Sequence, residues 1–264
     1  MFRRAILSKN KFGQMKSGVE KTPDILREYL HPHTEVYSVS QCENLFEHLN
    51  QLYLKNKSIN KDKVVNLGGD HSMTIATGAH SLNNYSNPKF IWIDAHPDIN
   101  TFTSSETKNF HGMPLAYLCG LFKHQELQFL HNYLPFENIL YIGIRDVDSF
   151  ESKIIREKNI SYITPTDCGD IIYVINKIKN FIGDNPVHLS FDVDSLDPLY
   201  IKSTGTPVAN GLSIKTTKTI INEILTNHNV INIDITELNL QQGCEIEQRI
   251  SLINVLDVCE DVFK

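Results

Sequence analysis

No run of apolar residues in this 264-residue sequence is long enough to cross a bilayer, so a helical membrane protein is excluded. No secretory signal is expected either: Arg3-Arg4 is followed only by Ala5-Ile6-Leu7 before the chain turns polar. The five cysteines (Cys42, Cys119, Cys168, Cys244, Cys259) are scattered and form no C-x-x-C pair. That excludes a disulfide framework and a zinc knuckle and fits reduced thiols in a cytoplasmic protein. Basic charge is also short. Lys and Arg number 25 against 31 Asp and Glu, giving a net charge of −6. Neither a nucleic-acid nor a membrane-surface partner is expected. Internal repeats, low-complexity tracts and Pro/Gly-rich linkers are absent, which points to one domain over 1–264. What remains, 41% hydrophobic and 21% charged, is enough for a sizeable core.

Short β-rich apolar runs alternate with helical patterns. Strands are expected near 5–7, 35–39, 63–67, 90–93, 139–144, 161–163, 187–191 and 230–235. Helices are expected from Thr22 (as N-cap, with Pro23 at the first helical position) and over 43–54, 113–122, 149–158, 170–182, 214–225 and 245–263. Such alternation predicts a mostly parallel sheet covered by helices, with ligands bound beyond the carboxyl ends of the strands. Strand counting alone leaves an eight-stranded barrel and an open sheet both possible.

Four strand ends carry the chemistry. The stretch KFIWIDAHPDIN runs from an unbroken apolar strand into Asp94, His96 and Asp98, alternate residues that share one face of an extended chain. GGDHS supplies His71, DVDSLDP supplies Asp192 and Asp194, and the eighth strand ends at Glu237. The first three of these ends supply two imidazoles and four carboxylates, which exceed the needs of one tetrahedral ion. They suit two metals sharing bridging carboxylates. Oxygen-rich ligands without thiolate favour Mn²⁺ over structural zinc. Such a pair lowers the pKa of bound water and makes hydrolysis the expected chemistry. Asp70 and Ser72 are placed to support the ligands. Asp148 suits a helix N-cap, and Asp194 and Asp197 suit turns before Pro198.

In this order and spacing GGDHS, DAHPD and SFDVDSLDP resemble the ureohydrolase superfamily of arginases, agmatinases and formiminoglutamases, and the likeness runs from about Gly13 to about Asn239. The resemblance implies a three-layer α/β/α fold with an open, mostly parallel eight-stranded sheet. It implies two Mn²⁺ per subunit, one held by His71, Asp94, Asp98 and Asp192, the other by Asp94, His96, Asp192 and Asp194. It also implies a homo-oligomer, a trimer or a hexamer. The arginase branch is the more similar at Asn100, Asn109, His111, Asp148 and TGTPV. By that likeness Asp148 takes the α-amino group of L-arginine, Asn100, Thr107 and Asn109 take its α-carboxylate, and Glu237 pairs with the guanidinium. Thr206 orients the substrate, Asp98 helps move the proton of the attacking hydroxide, and His111 carries a proton to the leaving amine. The products are L-ornithine and urea.

Departures from the arginase pattern are Lys108 for glycine, Thr107 for serine and Leu240 for proline. Lys108 is expected either to add a cation for the substrate carboxylate or to reshape the loop. An agmatinase or another guanidino or formimino hydrolase is the alternative activity. A non-catalytic arginine-binding homologue is the alternative class.

Overall fold

The computed structural model describes residues 2–39, 42–59 and 63–263. Eight strands form where the apolar runs lie: β1 Arg4–Ser8, β2 Glu35–Ser38, β3 Val64–Gly68, β4 Lys89–Ile93, β5 Ile139–Ile142, β6 Ser161–Ile163, β7 Val187–Asp192 and β8 Val230–Thr236. All pair parallel in one sheet of order β2-β1-β3-β8-β7-β4-β5-β6. The outer strands β2 and β6 do not meet, so the sheet is open and the barrel is excluded. The last strand in sequence, β8, lies at the centre, between β3 and β7.

Strand periodicity sends alternate side chains into two separate cores. Ile91, Ile93, Leu140 and Ile142 join one apolar cluster, under α6 (Ile171–Ile182), α7 (Ile214–Asn227) and α8 (Glu245–Val258). Phe90, Trp92, Ile139 and Tyr141 join the other, under α2 (Leu45–Ser58) and α3 (Thr74–Asn84). The result is three layers, α/β/α. On α6 the buried residues Val174, Ile178 and Ile182 fall on one stripe. Each stabilises the layer by about 1.5–3 kcal/mol relative to exposure.

Several local expectations are corrected. Thr22 is not a cap: its hydroxyl donates to the Leu238 carbonyl at 2.5 Å, and a 3₁₀ turn at Val19–Lys21 leads into α1 (Thr22–Arg27). The helix expected over 113–122 contracts to α4 (Pro114–Leu118), stopped by Gly120 at φ 72°. The closing helix divides into α8 and α9 (Glu260–Phe263). Helix α3 was not expected at all. Its residues from Thr74 to Leu82 are all buried, so it shows no amphipathic stripe. The remaining helix, α5 (Ser149–Glu157), stands as expected. Among the described residues no helix is long and apolar enough to cross a membrane. Cys119, Cys168, Cys244 and Cys259 are free thiols.

Candidate metal centre and active-site cavity

The four central strands β3, β8, β7 and β4 are neighbours, and their carboxyl ends carry His71, Glu237, Asp192 and Asp94. Residues far apart in sequence therefore converge at one edge. His71 Nδ1 lies 2.9 Å from Asp98 Oδ2 and 3.1 Å from both Asp94 Oδ2 and Asp192 Oδ2. His96 Nδ1 lies 3.2 Å from Asp194 Oδ2 and 3.5 Å from Asp94 Oδ1. Two triads result, His71–Asp94–Asp192 and Asp94–His96–Asp194, each with ligand atoms close enough to hold one ion. Asp94 belongs to both. Asp192 turns Oδ2 to His71 and accepts the Asp194 amide on Oδ1 at 2.9 Å.

The donor set fits cations. His71 Nδ1 is buried and has no partner in hydrogen-bonding geometry. The other ring nitrogen is engaged by Ser190 Oγ at 2.7 Å, and the ring stacks on Trp92 at 4.3 Å. A lone pair facing three carboxylate oxygens in the interior is strongly disfavoured unless positive charge lies between them. The titration behaviour agrees. Burial works against charge on His71, yet the nearby carboxylates of Asp192, Asp94 and Asp98 outweigh that and raise its pKa well above normal. Burial and the Asp94 charge push Asp98 up to about 7. Burial, Asp194 and Asp94 raise Asp192 likewise. A site that draws in protons to this extent has too much negative charge for its surroundings, which divalent cations relieve.

Supporting residues fix the ligands. Trp92 Nε1 donates to Asp94 Oδ2 at 3.0 Å, and the His96 amide donates to Asp94 Oδ1 at 2.7 Å. The Arg145 guanidinium binds the carbonyls of Gly143, Asp194, Ser195 and Val208, tying the end of β5 to the turn that carries Asp194. Asp70 and Ser72 hold the N-terminal loop: Asp70 accepts from the amides of Ser72 and Gly13.

A cavity of ≈ 260 Å³ opens beside the triads. Its lining includes His96, Asp98, Asp192 and Asp194, together with Asn100, Thr107, Asn109, His111, Asp148 and Thr206. The expected substrate residues are thus brought together, with three adjustments. Asp148 is both cap and wall: Oδ1 caps α5 on the Glu151 amide at 2.9 Å, while Oδ2 accepts from Asn100 Nδ2 at 2.7 Å. Thr206 donates to Asp194 Oδ2 at 2.9 Å and so orients a carboxylate of the Asp94–His96–Asp194 triad. Glu237 is not a solvated strand end, nor does it line the cavity. It is buried, accepts the His71 amide at 2.9 Å, lies 3.1 Å from His111 Nδ1 and accepts from Gln14 Nε2 at 2.6 Å. Burial alone would raise Glu237, but the His111 contact outweighs it and holds the carboxyl below its usual value. His111 in turn is raised to about 9, because Glu237, Asp98 and Asp70 outweigh its own burial.

Lys108 reshapes the loop rather than entering the cavity. It adopts φ 60°, a conformation that favours glycine, and its Nζ donates to the Phe102 carbonyl at 2.7 Å while lying 5.4 Å from the Phe102 ring centre. Asp98 (φ 49°) and Glu237 (φ 67°) share that left-handed backbone. Strain of this kind gathers where function fixes a side chain.

Sequence reasoning missed Glu151, Trp92, Ser190, Asp146 and Gln14. Glu151 lines the cavity, and its carboxyl is pushed up to about 8 by burial and Asp148. It was findable, since D-x-x-E from Asp148 is a capping box. Trp92 shares a strand face with Asp94 but was read as core alone.

The sequence profile of the arginase family matches residues 10–251. The chain belongs to the arginase family. The Entamoeba histolytica arginase is 32% identical over 96% of this chain and 94% of its own length. A crystal structure of an Entamoeba histolytica arginase in complex with L-ornithine superposes with a TM-score of 0.88 at 28% identity, covering 97% of this chain and 98% of that one. The Plasmodium berghei arginase is 39% identical over 68% of this chain, which spans only 53% of that relative. The family is one of binuclear metal enzymes, and this chain brings two clusters of metal-ligating groups together.

Proposed function

We propose that this protein is an arginase, hydrolysing L-arginine to L-ornithine and urea with two Mn²⁺ per subunit. The observation that carries the reading is that members of both triads, Asp192 of one and His96 and Asp194 of the other, line a cavity that also holds Asp148, Glu151 and Asn100. When bound, the cation pair supplies Lewis acidity that brings the pKa of water near neutrality. His71, Asp94, Asp98 and Asp192 would hold one ion, and Asp94, His96, Asp192 and Asp194 the other.

The remaining residues bind the substrate and manage protons. The Asp148 carboxylate, with Glu151 beside it, meets the α-ammonium, and Asn100, Thr107 and Asn109 offer neutral donors for the α-carboxylate. Agmatine leaves those donors unmatched, and unmet polar groups of this kind separate substrates by orders of magnitude. Glu237 supplies the buried anion behind His111 and acts on the guanidino end through that imidazole, 3.1 Å away. Asp98, with its raised pKa, accepts the proton of the attacking water. His111, protonated below pH 9, donates to the leaving amine. Thr206 steadies Asp194, and through it the wall on which the guanidino carbon rests. A cytoplasmic location and assembly as a trimer or hexamer complete the proposal.

Urea release after preincubation with Mn²⁺, measured on L-arginine and agmatine in parallel, tests it. Turnover of arginine alone is expected. Preference for agmatine would discard the roles of Asp148 and Asn100. Binding of two cations without urea from either substrate would point to the non-catalytic homologue.

A further inference from the structure

Glu237 follows the central strand β8 directly and is almost fully buried. Its Oε2 is held by a residue from the other end of the chain, Gln14, whose Nε2 donates at 2.6 Å. The segment 10–18 that brings Gln14 there is stitched to the site at further points. Asn10 Nδ2 donates to Ser72 Oγ at 2.7 Å, the Gly13 amide donates to Asp70 Oδ2 at 2.9 Å, and the Gly13 carbonyl accepts the His111 amide at 3.1 Å. Glycine is required at position 13, because a Cβ would lie 2.3 Å from Asp70 Oδ1. Beyond Gln14, the Lys16 ammonium donates to the Gly205 carbonyl, next to Thr206. At Gly205 a Cβ would meet Gln14 Oε1 at 3.2 Å and Glu237 Oε2 at 3.7 Å. Gln14, Gly205 and Glu237 therefore pack at a single point, closed by Lys16. The hydrogen bonds of Asp148 and Asn100 run to each other and to Glu151, Ser152, Ser104 and Gly112, and among the described residues none runs directly to residues 10–18.

We propose that Gln14 is a positioning residue for the guanidino end of the substrate: its amide fixes the Glu237 carboxylate, and the Lys16–Gly205 contact clasps the two segments around it. This deepens the arginase reading and rests on it. The amino-acid end of the substrate, on the Asp148 wall, is independent of Gln14.

Full-length protein loaded with Mn²⁺ is compared as wild type, Gln14→Met and Met15→Ala, the last a control at a side chain 90% exposed. The readouts are kcat and KM for L-arginine, the inhibition constant of L-ornithine (which has no guanidino group) and the calorimetric affinity for guanidinium chloride. Loss of a buried charge-assisted hydrogen bond predicts that Gln14→Met lowers kcat/KM and guanidinium affinity by about tenfold or more, while L-ornithine inhibition stays within about twofold and Met15→Ala changes nothing. Gly205→Ala, which crowds Gln14 without removing it, shifts the same two quantities by about threefold and serves if Gln14→Met does not fold. Parallel weakening of L-ornithine and guanidinium, or no change in either, overturns the proposal. If wild type releases no urea, the arginase reading fails and calorimetry alone decides the role of Gln14. If wild type does not bind guanidinium, the proposal falls as well.

Discussion

The two triads share Asp94 yet sit in opposite surroundings. His71 is sealed in the core, stacked on Trp92 and bonded to Ser190, with 1% of its side chain exposed. His96 has 22% exposed, lies in the cavity wall and has Asp146, itself largely exposed, 3.5 Å from Nε2. The deep ligand is fixed by the same packing that holds the sheet together. The shallow one is fixed by a turn, by Thr206 on Asp194 and by the cavity rim. One side of the pair is therefore packed into the core, and the other faces the cavity.

Changes at the shared residue should have the largest effect. Asp94→Asn removes a ligand from both triads and is expected to abolish binding of both cations, with urea release falling on the order of 10³-fold or more. Metal analysis after gel filtration checks this, and retention of two ions would show that the triads do not share Asp94. His111→Ala should lower kcat by about 100-fold with both ions kept. Loss of ions in that variant would assign His111 to the metal site instead. The pKa of His111 is raised to about 9, so its proton is present below that pH and lost as the pH rises through it. Wild-type kcat is accordingly expected to fall above about pH 9, and that limb should be missing in His111→Ala.

Trp92→Phe sharpens the contrast by acting on one side. It keeps the stacking on His71 but deletes the donor to Asp94 Oδ2, and should weaken one of two titratable cation sites by about 10- to 100-fold. Equal weakening of both sites in calorimetry would show that the deep and shallow ligands respond as a unit. Asp146→Asn, at the exposed rim, should change shallow-site affinity by no more than about threefold.

What the sequence disclosed, and what it hid, follows the same division. Alternating acids at a strand end are visible because strand geometry is local: Asp94, His96 and Asp98 announce a shared face in five residues. Asp148 and its α5 cap were visible for the same reason. Local pattern could not show which residues come back to the site from far away. Gln14 reaches Glu237 across 223 positions, and Ser190 reaches His71 across 119. Helix α3 was hidden by the burial of every residue from Thr74 to Leu82, which erases the polar face that periodicity needs. Lys108 was conspicuous as a departure from the family pattern. Its effect depended on a left-handed backbone and the Phe102 carbonyl, neither of which is written in the order of residues.

The central position of the last strand has a kinetic consequence. The strands β2, β1 and β3 on one side, and β7, β4, β5 and β6 on the other, are joined within the sheet only through β8. Asn66 in β3 and Asp234 in β8 bond across 168 positions, so a nascent chain cannot close this seam until β8 has been made. His71 stands on one bank and Asp94, Asp98 and Asp192 on the other. A seam of such long sequence separation is slow to close, because its loop entropy must be overcome before any contact there compensates. Refolding followed by metal uptake should therefore show cation binding in the slowest phase, after most of the helical signal has returned.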